Sequence, residues 1–79
     1  MKKEEVVAKV NEFLIYEFEL KEDRLIPEAN LRDDLEIESL DFVDIAVEIE
    51  KRFGFKIKGE EMVNVKTLED LYEYILSKI

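Results

Sequence analysis

Nucleophilic, acid-base and metal chemistry in proteins leans on cysteine and histidine, and this chain contains neither. That excludes disulfides, thiolate nucleophiles, thiolate or imidazole metal ligands, and the one side chain that ordinarily titrates near neutral pH. No nucleophile-base pair can be assembled, so the chain does not read as an enzyme. Hydroxyls and carboxylates remain. The segment Asp34-Leu35-Glu36-Ile37-Glu38-Ser39-Leu40-Asp41 sets a single hydroxyl among acids, where a loop gives way to an apolar periodicity. A serine at such a junction can face solvent, and by residue type alone it reads first as the N-cap of the following helix. Ser77, the other serine, falls near the C-terminus on the polar side of a helix, with no comparable surroundings.

The charge around Ser39 is one-signed. Twenty-one acids against twelve bases give a net charge of −9, which opposes binding to phosphate backbones and anionic lipid surfaces and favours basic partners. No nucleic acid and no membrane surface is expected as a partner. Asp33, Asp34, Glu36, Glu38, Asp41, Asp44, Glu48 and Glu50 occur with no Lys or Arg between Asp33 and Glu50, and the flanking stretches nearly cancel. These acids do not form a calcium loop: no D-x-[DN]-x-[DN]-G run exists, and Leu35, Ile37 and Leu40 interrupt the ligand spacing.

The elements that must position these residues are helical. A chain of 79 residues makes one small domain, 1–79, that buries roughly two-thirds of its unfolded surface. Val6, Val7, Val10, Phe13, Leu14 and Phe18 recur at helical spacing, which predicts a first helix over Lys3 to Phe18. The periodicity then fails until Glu38; Leu25-Ile26, Leu31 and Leu35 are expected to pin a long loop to the core. A second helix is predicted over Ser39 to Phe53, capped by Ser39, with Asp41 in its first turn and Gly54 ending it. At about 100° per residue, Phe42, Val43, Ala46, Val47, Ile49 and Phe53 form its apolar arc, Glu50 lies at the rim of that arc, and Asp41, Asp44 and Glu48 project oppositely. Gly59 to Asn64 allows at most a short turn of helix. A last helix follows Thr67, with Leu68, Leu71, Tyr72, Ile75, Leu76 and Ile79 inward and Asp70 completing a capping box. The fold class expected is all-α: a bundle of three main helices plus one short helix, with a long loop between the first two. No apolar run suits a signal peptide or a membrane span, so a cytoplasmic location is expected.

Glu38-Ser39-Leu40 at the head of an acidic helix resembles the D-S-L motif of the acyl carrier proteins. Ile26-Pro27-Glu28-Ala29, Asp34-Leu35, Asp41, Val43, Asp44, Glu50, Phe53-Gly54, Ile57 and the pattern from Thr67 to Ile75 extend the resemblance over nearly the whole chain. It implies an acyl-carrier-like bundle with 4′-phosphopantetheine, taken from coenzyme A, attached covalently to Ser39. It also implies a function: holding acyl intermediates as thioesters for fatty-acid-like or polyketide-like synthesis. Glu38, Asp41, Asp44 and Glu48 would supply ionic contacts to partners, and Leu40, Val43 and Val47 apolar ones; the two valines also fit core packing. The implied partners are a phosphopantetheinyl transferase (holo-synthase) and ketosynthase and acyltransferase-type enzymes with basic docking surfaces, visited by a monomer.

Three departures from the family pattern point to a specialised member. Glu38 replaces the usual Asp, Glu36 the usual Gly, and Lys51-Arg52 stand where housekeeping fatty-acid carriers are commonly acidic. Phe13, Phe18, Phe42, Phe53 and Phe55 are expected to give a bulky interior. The alternatives are an aminoacyl or peptidyl carrier of the same fold, disfavoured by the acidic second helix, and an unmodified acidic interaction subunit in which Ser39 serves only as a cap.

Overall fold

The computed structural model describes all 79 residues. Helix α1 spans Lys3–Phe18, α2 Ser39–Phe53, α3 Gly59–Met62 and α4 Leu68–Lys78, with one 3₁₀ turn at Glu22–Arg24 between α1 and α2. The architecture is the expected all-α bundle of three main helices and a short one. No helix is long and apolar enough to cross a membrane.

Helix α1 starts with Glu4 and Glu5 in its first turn, where they complement the helix dipole. Its buried stripe is Val6, Val10, Phe13 and Leu14, while Val7 and Phe18 are only partly covered. It ends at Glu19, whose N–H reaches back to the carbonyl of Leu14 and whose left-handed φ of 55° turns the chain so that the Leu20 N–H donates to the same carbonyl at 3.4 Å. Helix α4 begins with the capping box read from its sequence: Thr67 Oγ1 accepts from the Asp70 N–H at 3.1 Å and Asp70 Oδ2 accepts from the Thr67 N–H at 3.1 Å. Those backbone donors, Thr67 first and then Lys66, hold the Asp70 carboxyl below its usual range. Leu68, Leu71, Tyr72 and Ile75 are buried, Leu76 is partly so, and Ile79 lies exposed beyond the helix end.

α1 packs chiefly on α4. Lys3 Nζ meets the Glu69 carboxylate at 2.9 Å and 3.0 Å, and the Tyr72 hydroxyl donates to Asn11 Oδ1 across the same seam. Burial pushes the Tyr72 hydroxyl up to about 12. The core is wholly apolar, and each buried Leu, Ile, Val or Phe contributes about 1.5–3 kcal/mol of transfer free energy.

The long loop is a packed element. Leu25, Leu31 and Leu35 are buried as expected, but Ile26 is 50% exposed, and Ala29 and Ile37 take the remaining anchoring places. Its backbone is bonded to the start of α4: Leu31 N–H donates to Lys66 O at 2.9 Å, Leu68 N–H to Ala29 O at 2.9 Å, and Glu69 N–H to Pro27 O at 3.0 Å. Asn30 forms an Asx turn, its Oδ1 accepting from the N–H groups of Arg32 at 3.0 Å and Asp33 at 2.9 Å. Glu36, where the family pattern has Gly, takes a left-handed φ of 56°, the conformation that costs glycine nothing and other residues strain.

The expectation of a phenylalanine interior is corrected: only Phe13 is fully buried, while Phe18, Phe42, Phe53 and Phe55 are half-buried at the edges of the core. Interior volume belongs instead to Leu, Ile and Val from α1, the loop, α2 and α4. α3 is tied to α4 by Glu61, which accepts from Lys78 Nζ and from the Tyr74 hydroxyl, each at 2.9 Å. Lys78 first and Tyr74 second hold the Glu61 carboxyl below its usual range.

Candidate functional site

Ser39 is the first residue of α2, and the residue before it, Glu38, is the N-cap with extended backbone at φ −88°, ψ 168°. The expectation that Ser39 caps the helix is therefore overturned. The reason lies three residues on: Asp41 Oδ2 accepts from the Glu38 N–H at 3.1 Å, the return bond of a capping box that pairs cap and third helical residue. Had Ser39 been the cap, the third position would have been Phe42, which can return no such bond. With the cap elsewhere, the Ser39 hydroxyl is exposed and contacts one side chain, Arg32, whose Nη2 donates to Oγ at 3.2 Å.

The apolar arc of α2 is also corrected. Ile45 and Ile49 form its buried ridge, flanked by half-buried Phe42, Ala46 and Phe53, whereas Val43 is 61% and Val47 41% exposed. Ile45 lies about 200° from both valines around the helix axis, so once it faces the core they must face away. Leu40, 80% exposed, completes an outward apolar stripe with them. Asp44 is exposed and unpaired beside the stripe; Glu48 is partly covered and accepts from Arg52 Nε at 3.3 Å. Asp41 is drawn into the cap and Glu38 is exposed. Glu50 sits at the rim as expected, its Oε2 accepting from the Ile57 N–H at 2.8 Å, which fastens the turn after α2.

Two open depressions flank Ser39. One, of about 660 Å³, is polar and lies along Arg32, Asp33, Glu36 and Glu38. The other, of about 610 Å³, lies between the loop, α2 and α3, with Leu31, Phe42, Met62, Val63 and Val65 among its walls. A group attached to Ser39 Oγ would therefore stand in solvent with an apolar groove beside it. The arrangement offers one accessible hydroxyl and an outward face of mixed apolar and acidic character. Residue types alone did not single out Arg32; its only signal is its place as the last base before the acid-only stretch.

The family model described as the phosphopantetheine attachment site matches residues 15–75. The chain is 36% identical over 76 residues to an acyl carrier protein of Rubrobacter xylanophilus, covering 96% of this chain and 94% of that one. It is 35% identical over 72 residues to a meromycolate extension acyl carrier protein of Mycobacterium leprae, covering 91% of this chain and 63% of that one. A chain from Anaplasma phagocytophilum, whose solution structure is described as that of a candidate acyl carrier protein, superposes with a TM-score of 0.85 at 36% identity, covering 99% of this chain and 92% of that chain.

Proposed function

The chain belongs to the acyl carrier proteins, a family of carriers rather than enzymes whose members bear a covalent phosphopantetheine group, and we propose that Ser39 is the residue that bears it here, as the acceptor from coenzyme A. When bound, that group supplies a terminal thiol that holds acyl intermediates as thioesters. The observation that carries the assignment is the Ser39 hydroxyl itself: exposed, freed from capping by Glu38, and set between two open depressions, with the Arg32 guanidinium its one side-chain hydrogen-bond partner.

The residues of α2 serve encounter. Members of the family work with synthases and transferases; the partners of this one are a phosphopantetheinyl transferase and ketosynthase and acyltransferase-type enzymes with basic docking surfaces. The outward stripe of Leu40, Val43 and Val47 supports that reading, with Glu38, Asp44 and Glu48 close by and Asp41 contributing from the cap. Opposite charge speeds association by up to about a thousandfold and leaves dissociation fast, as a shuttle requires. The 79 residues act as a single carrier domain, monomeric and cytoplasmic, in fatty-acid-like or polyketide-like synthesis. Specialisation within that class is supported by Glu38 before the serine and by Lys51, which is exposed at the far end of the docking helix.

Incubation with coenzyme A and a broad-specificity phosphopantetheinyl transferase, followed by proteolysis and mass spectrometry, tests the assignment. One phosphopantetheine is expected, on the peptide containing Ser39. Its appearance on the Ser77 peptide, or on none, would refute it.

A further inference from the structure

Arg32 is the cation of this structure whose side chain is bonded to the Ser39 hydroxyl. The ion pairs belong to Lys3, Arg52 and Lys78, and no carboxylate lies within pairing distance of Arg32, although acids follow it at Asp33, Asp34, Glu36 and Glu38. Its one side-chain contact is the 3.2 Å bond from Nη2 to Ser39 Oγ. The backbone that aims it is held firmly: its own N–H and that of Asp33 are bonded to Asn30 Oδ1, the Asn30 N–H to Asp34 Oδ2 at 2.7 Å, and the Leu31 N–H to Lys66 O at 2.9 Å. Arg32 also lines both depressions that flank Ser39.

We propose that Arg32 is the intramolecular counter-ion of the phosphodiester carried on Ser39, a positioning residue that holds the root of the prosthetic arm against the loop. The inference rests on the assignment of Ser39 above. A phosphorus bonded to Oγ places its charged oxygens two bonds from an atom that the guanidinium already reaches, and arginine presents parallel N–H groups suited to such oxygens. The charge arithmetic favours the pairing. Modification adds a negative charge to a helix start already ringed by Asp33, Glu36 and Glu38; Lys66 lines one of the two depressions, but Arg32 is the cation already bonded to the oxygen that would carry the charge. A loop-borne cation that stays with the chain also leaves the acids of α2 unneutralised and available to partners.

A thermodynamic cycle between phosphate and guanidinium isolates the contact. Unmodified and loaded forms of the parent, Arg32→Ala, Arg32→Lys and Lys56→Ala are melted at low and high salt, with intact mass confirming each form. Lys56 is exposed, unpaired and at the opposite end of α2, so its variant reports the effect of net charge alone. The readout is the loaded-minus-unmodified Tm difference, which a purely structural role for Arg32 would leave unchanged. At low salt it is expected to be lower by about 1–5 °C in Arg32→Ala than in the parent. Arg32→Lys should recover part of this, Lys56→Ala should match the parent, and high salt should close the gap. Equal differences in Arg32→Ala and the parent, or a Lys56→Ala effect as large, would overturn the counter-ion role while leaving Ser39 as the attachment site. Failure to load Ser39 at all would overturn both.

Discussion

α2 and α4 both alternate apolar and charged residues at helical spacing, yet α4 buries four of its eleven residues and α2 only two of its fifteen. The apolar residues that α2 does not bury, Leu40, Val43 and Val47, are gathered on its outer face beside Asp44 and Glu48. α4 leaves no such stripe: Leu68, Leu71, Tyr72 and Ile75 are buried, and Tyr74 packs against Phe55. Amphipathicity in a sequence therefore has two readings. In α4 it completes the core, and in α2 a narrow inner ridge suffices for attachment while Leu40, Val43 and Val47 stay on the outer face, available for the docking proposed for it.

Truncating each helix separates the two uses. Leu71→Ala in α4 should cost about 2–5 kcal/mol, a cavity in a site with no exposure, and a large part of the roughly 5–15 kcal/mol that holds a domain folded. Val43→Ala in α2 should move stability by no more than about 0.5 kcal/mol while slowing enzymes that act on the carrier. Urea melts of the two variants check the first half; a Val43→Ala loss comparable to that of Leu71→Ala would erase the distinction.

A pH titration extends the comparison to the α1–α4 seam. The core holds Tyr72 as the neutral phenol, with its hydroxyl pushed up to about 12 chiefly by desolvation. A group raised in the folded state stabilises fully below its ordinary value near 10 and loses that contribution as pH climbs through the folded value. Stability of the parent should thus fall between about pH 10 and 12, and Tyr72→Phe should flatten that limb while losing the bond to Asn11. An unchanged alkaline limb in Tyr72→Phe would assign it to other groups.

On the outer face of α2 the acids are unequal. Asp44 is unpaired, whereas Glu48 is engaged by Arg52 at 3.3 Å. Asp44→Lys should therefore slow loading at low salt by about threefold to tenfold, and Glu48→Lys by less, with both deficits shrinking as salt screens the attraction. Loading kinetics across a salt series decide it; equal deficits would mean that the Arg52 pair does not survive the encounter.

Much of this division could be read from residues, and the failures are instructive. The bounds of α1, the start of α4 and the box of Thr67 and Asp70 follow from local rules, and they hold; the inward pattern of α4 stops short, because Ile79 lies exposed beyond the helix end. The cap of α2 was legible in principle, because Asp41 stands three residues after Glu38, but the stronger capping preference of serine points one residue late. Omitting Ile45 from the arc of α2 sent Val43 and Val47 inward: a helix with apolar residues on both sides cannot be oriented by periodicity when its outer face is also apolar. Ile26 turns outward and Ile37 inward in the loop, where Pro27 and Ala29 are bonded to the start of α4 and the Ile37 N–H to Leu31 O, contacts invisible in local sequence. The contact of Arg32 with Ser39 is likewise made by the fold of the loop.

The smallest effect expected is at Glu36. Its left-handed backbone should make Glu36→Gly stabilising by about 0.5–1 kcal/mol, relief of strain exceeding the added freedom of the unfolded chain. Chemical denaturation checks this, and a loss of stability would mean that the side chain contributes more than its strain costs.

The central claim is that Ser39 is dispensable to the fold and indispensable to the function. Ser39→Ala submitted to far-UV circular dichroism, thermal melting and transferase loading tests both halves on one sample. Helicity should be that of the parent and Tm within a few degrees of it, by about 0.5 kcal/mol or less in stability, because Glu38 and Asp41 hold the start of α2; no phosphopantetheine should be added. A folded Ser39→Ala chain that still gains the group, or a chain that loses α2 with the hydroxyl, would contradict the account.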